Sequence, residues 1–382
     1  MKHLLLIILT INSLLVFSNP PITPNQFKKG SDSDRIEAAI REALKTGDNS
    51  IEIPRYNQQR QKAEWLIDRA IVLPSDFTLV LRDCLVRLSP GTQDNIITNS
   101  GARTEPLSKN QNIRITGIGN AVLSGGLEAH WEKPGHYNGF KTIGILLYNT
   151  QHFTIENVEM EETHCWAISI EHSAFGRISN IRLNNTNKYP NQDGVDIWKG
   201  CHDILIENVT GVAGDDVVAI GALRYDPSKP LAAGMYKLPP MWVGGALPTD
   251  SDDVYNIIVN NVQAKCAGGH GIIRLLNQDG IKMYNVFINN VMDTSSDSDR
   301  RVQAAIRIGD SNYASISHNK IGDTYRIFIN NVVSRGRYVV FISRSLKDSV
   351  IKGVTGYGDS NEQVVKINGE IENVDIEAHK IK

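Results

Sequence analysis

The sequence predicts an all-β chain wound as a parallel β-solenoid, and three observations carry that prediction. First, a four-residue phrase (apolar, polar, Asn or Gly, apolar) recurs from about residue 110. It reads Ile115-Thr-Gly-Ile118, Ile155-Glu-Asn-Val158, Ile178-Ser-Asn-Ile181, Ile206-Glu-Asn-Val209 and Val259-Asn-Asn-Val262. It returns as Ile288-Asn-Asn-Val291, Ile329-Asn-Asn-Val332 and Ile351-Lys-Gly-Val354. The third positions are spaced by 40, 23, 28, 53, 29, 41 and 22 residues, mostly near one repeat of 22 to 29, with the 53 close to two. Short β-branched runs at such a period match stacked coils of strand, each coil hiding its apolar residues against its neighbours. Second, the chain holds 33 Asn and 31 Gly, residues that tolerate the left-handed backbone of tight corners. Third, helical periodicity is nearly absent, which argues against a leucine-rich repeat. A propeller would need four strands in a longer repeat.

The elements follow in order. Met1-Lys2-His3 precede an apolar stretch from Leu4 to Phe17, and Val16 and Ser18 flank Phe17 as short residues. This is the shape of a secretory leader, residues 1–18, cleaved after Ser18. The stretch is too short to span a membrane, which takes about 20 apolar residues. The mature chain is expected to be exported, to the periplasm or the medium. Residues 19–382 then form one β-helix. Its first element, within residues 30–48, is a helix over Arg35–Thr46, with Ile36, Ala39, Ile40, Ala43 and Leu44 at helical spacing and Gly47 at the stop. An open solenoid end exposes core and strand edges, so this helix reads as a cap. Strand-like runs follow at Ser50–Ile53 and Trp65–Leu73.

Composition narrows the function. Hydrophobic residues make up 41% and charged residues 21%, enough apolar content for a large core. The 40 Lys+Arg nearly balance the 42 Asp+Glu, and a nucleic-acid partner, which calls for a basic excess, is not expected. Cys84, Cys165, Cys201 and Cys266 include no close pair, so no zinc cluster is expected and buried free thiols are.

Two stretches carry chemistry. Asn191-Gln-Asp-Gly-Val-Asp-Ile197 precedes Gly214-Asp-Asp-Val-Val-Ala-Ile-Gly221, and Asp193 and Asp215 are 22 residues apart, about one coil. They therefore fall on neighbouring rungs, roughly 4.8 Å apart, with Asp216 beside Asp215 and Asp196 in the first segment. Crowded carboxylates repel, which raises the pKa of at least one. A raised acid beside an ionised base is what glycoside hydrolysis needs. A single Asp at a β-helix corner is more often a turn cap than a catalyst. Here further rungs add Gly268-Gly-His-Gly-Ile-Ile-Arg-Leu275, with His270, Ile272 and Arg274 expected on one strand face, and Arg307 within Ala304–Gly309.

The order Asn191-x-Asp193, Asp215-Asp216, Gly269-His270-Gly271 and Arg307-Ile308 resembles the four signatures of the polygalacturonases, glycoside hydrolase family 28. Ile113-Arg-Ile-Thr-Gly-Ile-Gly119 and Gly125 resemble that family's approach to its first catalytic rungs. The resemblance runs from about residue 30 to the last rungs. It implies a single-stranded, right-handed parallel β-helix of the pectin lyase-like kind and inverting hydrolysis of α-linked galacturonic acid in pectin. By that resemblance Asp215 is the general acid, Asp193 and Asp216 hold and deprotonate the attacking water, and His270 tunes the acid pair. Arg307 binds a sugar carboxylate and Asn191 orients its neighbours. No metal or organic cofactor is implied.

Three departures stand out. The family's Lys two positions after the Arg is Gly309 here, followed by Asp310. Arg274, four residues after His270, is unusual for the family and offers a replacement charge toward substrate. A segment at about 223–253, holding Tyr225, Tyr236 and Trp242, is inserted just beyond the acids. Such a segment beside the acids is expected to wall one end of the groove and favour terminal cleavage. An inverting site is also expected to keep acid and base apart, to leave room for the water. The expected activity is an exported hydrolase of an acidic, galacturonate-containing polysaccharide or its oligomers, working as a monomer. The alternatives are a polysaccharide lyase using Ca²⁺ held by the acids, and a carbohydrate-binding β-helix without turnover.

Overall fold

The computed structural model describes residues 20–92, 94–104, 106–126, 143–186, 191–223, 251–309, 318–358 and 363–381. The expected leader, Asp310 and the inserted Tyr225, Tyr236 and Trp242 lie outside the described residues.

All but the first corner of the repeat phrase share one conformational cause. Asn157, Asn180, Asn208, Asn261, Asn290 and Asn331, the third positions, all have φ between 55° and 58°, and Gly353 has φ 60°. Asn tolerates this left-handed geometry better than other residues with a side chain. The side chains also join coil to coil. Nδ2 of Asn180 donates to Asn157 Oδ1 at 2.8 Å, Asn208 to Asn180 at 2.8 Å, and Asn261 to Asn208 at 2.7 Å. The ladder resumes from Asn331 to Asn290 at 2.7 Å. Only the first phrase differs, since Gly117 is not left-handed.

These corners bend the strands of one parallel sheet. In it Ser50–Ile53, Phe77–Arg82, Asn110–Ile118, Thr150–Glu161, Ala174–Asn184, His202–Ala213, Val254–Cys266, Met283–Asp293, Thr324–Ser334, Leu346–Tyr357 and Ile371–Ile381 pair in sequence order. A second parallel sheet of shorter strands alternates with it. It runs Ile71–Leu73, Ile97–Asn99, Ile145–Tyr148, Ile168–Glu171, Val195–Ile197, Val218–Ala222, Gly271–Asn277, Ala304–Ile308, Tyr338–Ile342 and Gln363–Ile367. The result is a right-handed parallel β-helix. The 53-residue spacing is one coil and not two, because His202–Ala213 pairs directly with Val254–Cys266. The expected run Trp65–Leu73 is two strands, Trp65–Ile67 and Ile71–Leu73.

The core is a set of columns running through the stack. Ile155, Ile178, Ile206, Val259, Ile288, Ile329 and Ile351 occupy one register and all are buried. Each such side chain contributes about 1.5–3 kcal/mol on leaving water. The end is closed by the helix Asp32–Thr46, where Ser31 and Asp34 form a reciprocal capping box and Gly47 stops the helix at φ 78°. Its buried face holds Ile36, Ala39, Ile40 and Ala43, whereas Leu44, expected there, is exposed. Arg35, buried on the same helix, pairs with Asp32, donates to Asn57 and lies 5.1 Å over the Trp65 ring. Among the described residues no helix is long and apolar enough to cross a membrane.

Candidate active site

The acids sit where two turns enter the short-stranded sheet. Asp193 precedes Val195–Ile197, and Asp215 and Asp216 precede Val218–Ala222. Gln192, between Asn191 and Asp193, fixes the register of the turns. Its carbonyl accepts from the N–H groups of Gly214 (2.9 Å) and Asp215 (3.1 Å), and its Nε2 donates to the Thr163 carbonyl at 2.8 Å. Gly194 N–H then donates to the Asp216 carbonyl at 2.9 Å, which sets Asp193 and Asp216 level on adjacent rungs. One oxygen from each of Asp193, Asp215 and Asp216 lies within 4.8 Å of the others. This is a limit between single oxygens and not the carboxyl-to-carboxyl separation, roughly 6.5–9.5 Å in inverting sites, so the stereochemical course is read from the anomer released.

Electrostatics follow from the crowding. Burial, and then the Asp216 charge, push the Asp215 carboxyl up to about 6. Asp193 is driven well above the usual carboxylate range by burial and by its neighbours Asp196, Asp215 and Asp216. Asp196 is a fourth acid at the site, raised in the same way by burial and by Asp216, with neither carboxylate oxygen hydrogen-bonded to protein. The triad is also the one group among the described residues whose carboxylate oxygens stand close enough to share a cation.

The remaining expected residues converge on the same place, with one correction. His270 lies in the turn before the strand Gly271–Asn277 and not on its face, while Ile272 on that strand is fully buried. Its Nδ1 stands 3.5 Å from Asp215 Oδ1, and its backbone N–H donates to Cys266 Sγ at 3.2 Å. Arg274, expected to offer a charge toward substrate, lines both cavities of the site and gives Nη1 to the buried Asp216 Oδ2, one rung away, at 3.1 Å. Arg307 takes the next place along the same row, in register with Arg274. It donates to Gln303 Oε1 at 2.9 Å and lies 5.5 Å over the Phe341 ring. Asn191, left-handed at φ 58°, lines the acid cavity. All four cysteines are buried, and Cys84, Cys201 and Cys266 are free thiols.

Two cavities meet here. One of about 30 Å³, room for about one or two waters, is lined by the four acids, Asn191, Arg274, Trp166 and Trp198. The other, about 260 Å³, is lined by His270, Arg300, Gln303 and Arg307, and shares Asp216 and Arg274 with the first. Sequence reasoning missed the two tryptophans, whose rings meet at 4.7 Å, and missed Gln192, Arg300 and Gln303. Trp198 carried a legible signal, lying two residues after Asp196 on the same outward alternation. Trp166, Arg300 and Gln303 lie on other coils, and no spacing to the acids marked them.

The comparisons with known proteins follow this geometry. Among solved structures, an endo-xylogalacturonan hydrolase from Aspergillus tubingensis superposes with a TM-score of 0.58 at 15% identity, over 94% of this chain and 92% of that one. A hyperthermoactive exopolygalacturonase from Thermotoga maritima gives 0.56 at 16% identity, over 94% and 92%. A tailspike protein mutant of E. coli bacteriophage HK620 gives 0.55 at 14%, over 93% of this chain and 65% of that one, so at these identities the likeness speaks for the fold alone. No curated protein sequence matches the chain. The family described as glycosyl hydrolases family 28 matches residues 93–382, which include all four acids, His270, Arg274 and Arg307. The chain belongs to glycosyl hydrolase family 28 and is a glycoside hydrolase.

Proposed function

We propose that this chain is an exported, inverting hydrolase of α-linked, galacturonate-containing polysaccharide or its oligomers, working from a chain end. The observation that carries the reading is Asp215. It is a carboxyl that holds its proton to about pH 6, placed at the rim of the cavity within 4.8 Å of two further carboxylates. Such a group donates a proton to a departing glycosidic oxygen. Asp193 and Asp216 line the small water-sized cavity beside it, which suits the holding and deprotonation of the attacking water. Once the anomeric carbon–oxygen bond breaks, the Asp215 proton passes to the leaving sugar. The water's hydroxyl joins the anomeric carbon from the opposite face, and its second proton goes to the base. Arg274 matches the Asp216 charge, and His270 beside Asp215 favours the ionised carboxylate that results. The family supports inversion; the close carboxylates by themselves do not.

Terminal cleavage is supported by the position of the insertion in the sequence. The strand that follows the two acids ends at Ala222, and the inserted residues 223–253 come next in the chain. The discriminating experiment incubates purified enzyme with polygalacturonate and with short galacturonate oligomers, following reducing ends and product lengths. Monomer or dimer from the first minutes supports the reading, and an early ladder of long oligomers refutes the terminal mode. Products that absorb in the near ultraviolet, with turnover abolished by a chelator, point to a lyase instead.

A further inference from the structure

Away from the acids, at the opposite end of the short strands, the chain turns back toward the long-stranded sheet. Asn149, His172 and Gly200 stack at that corner on three successive coils. Asn149 N–H donates to the Glu171 carbonyl and His172 N–H to the Lys199 carbonyl, each at 3.0 Å. A cavity of about 230 Å³ opens beside them and shares no lining residue with either cavity of the active site. One water needs about 10–15 Å³, so the recess has room for a ring-sized molecule.

The cavity lies at a gap in a row of large side chains. Gln151, Ala174, His202, Tyr255, Tyr284 and Tyr325 stand in one register on successive coils. The rings from His202 to Tyr325 stack at 4.7 to 5.1 Å, whereas Ala174 interrupts the row between Gln151 and His202. Gly200 leaves the space that the His172 ring fills, since a Cβ there would stand 2.3 Å from His172 Cδ2. The buried ionic groups at this corner are matched among themselves. His172 Nε2 lies 3.2 Å from Asp252 Oδ1, and Lys199 Nζ lies 3.9 Å from Glu171 Oε1. Burial opposes a charge on His172, but Asp252 and Glu171 outweigh it and raise its pKa to about 9.

Asn149 points to a ligand. It is 3% exposed and lines the cavity, and its Nδ2 has no partner among the described residues. A buried donor left unmet costs about 1–3 kcal/mol. Around it the recess offers the Gln151 amide, the Tyr255 hydroxyl, the Asp253 carboxylate and the exposed Lys109 ammonium. Lys109 and Asp253 cancel in charge, and mixed donors and acceptors match hydroxyl groups, which do both.

We propose that this recess is a second carbohydrate-binding site, taking one neutral pyranose unit away from the acids. The sugar hydroxyls meet Asn149 Nδ2 and the Gln151 amide, and the C–H groups pack against the His202 and Tyr255 rings. The site goes beyond the hydrolytic reading and does not rest on it. A neutral branch or neighbouring chain held here would keep the enzyme on its polymer while the acids work.

The test titrates the purified protein with galactose, xylose, glucose and rhamnose, and with galacturonate as the charged comparator, by saturation-transfer NMR. At least one neutral sugar is expected to bind wild type, and an excess of galacturonate should not displace it. Asn149 has φ 48°, a backbone that glycine adopts freely, so Asn149→Gly removes the amide and keeps the fold. That variant should weaken neutral-sugar binding about tenfold, the scale of one hydrogen bond to a buried donor, with Tm unchanged. Gln151→Ala should act in the same direction. No neutral sugar bound, or binding indifferent to both variants, overturns the site. Binding of galacturonate alone, weakened by both variants, overturns it too, because the recess would then select an anion.

Discussion

Asp215→Asn should make the protein inactive and more stable, with the second effect depending on pH in a defined way. In the fold, burial and the Asp216 charge hold the Asp215 proton to about pH 6, against an ordinary value of 3.8. A carboxyl whose pKa is raised by folding contributes its stability below the unfolded pKa and loses it as pH rises toward the folded one. The gap between 3.8 and about 6 corresponds to about 3 kcal/mol at most, and sharing of protons with Asp193 and Asp196 reduces it toward about 1 kcal/mol. Asn keeps the shape and cannot ionise. The variant should therefore match wild type below about pH 4, gain stability between pH 4 and 6, and hold a constant advantage above. For a chain of this length that advantage is about 1–4 °C in Tm, at roughly 2.1 cal/mol/K per residue. The assay is thermal unfolding of both proteins from pH 3.5 to 8, with turnover at each pH. A variant that is less stable at pH 7.5 than at pH 4 relative to wild type contradicts the electrostatic argument. Turnover near the wild-type rate contradicts the assignment of Asp215 as acid.

Other consequences are testable in the same way. His270 lowers the Asp215 pKa, so His270→Ala should move the alkaline limb of the kcat/KM profile to higher pH while reducing the maximal rate; an unmoved limb argues that His270 does not act on Asp215. Arg274→Gln leaves the Asp216 carboxylate buried without its cation and should cost about 3–5 kcal/mol in chemical denaturation. Adding Asp216→Asn should recover most of that stability but no turnover, and full additivity of the two losses would show that the pair is not coupled. At a corner, Asn208→Ala combines φ 58° with the loss of two ladder bonds and should cost about 1–3 kcal/mol, whereas Asn208→Gly should cost less. Equal losses would remove backbone strain as the cause.

Much of this architecture was legible in the sequence because each coil repeats the same local solution. The Asn of Ile-Glu-Asn-Val marks a left-handed corner, and its flanking apolar residues mark the core columns, so one phrase fixed both. The 53-residue gap misled because spacing alone cannot separate two coils from one coil with an insertion; only the pairing of His202–Ala213 with Val254–Cys266 does. At the site, Asp193, Asp215, Asp216 and His270 were legible from order and rung spacing. The partner of Arg274 was not, since which charge a guanidinium meets depends on the burial of Asp216.

The central claim, that these carboxylates hydrolyse an α-glycosidic bond with inversion, is tested most directly by proton NMR of the first product released from a galacturonate oligomer. The account predicts a saturated sugar that appears first as the β anomer and only later equilibrates. An initial α anomer, or an unsaturated sugar, would contradict it.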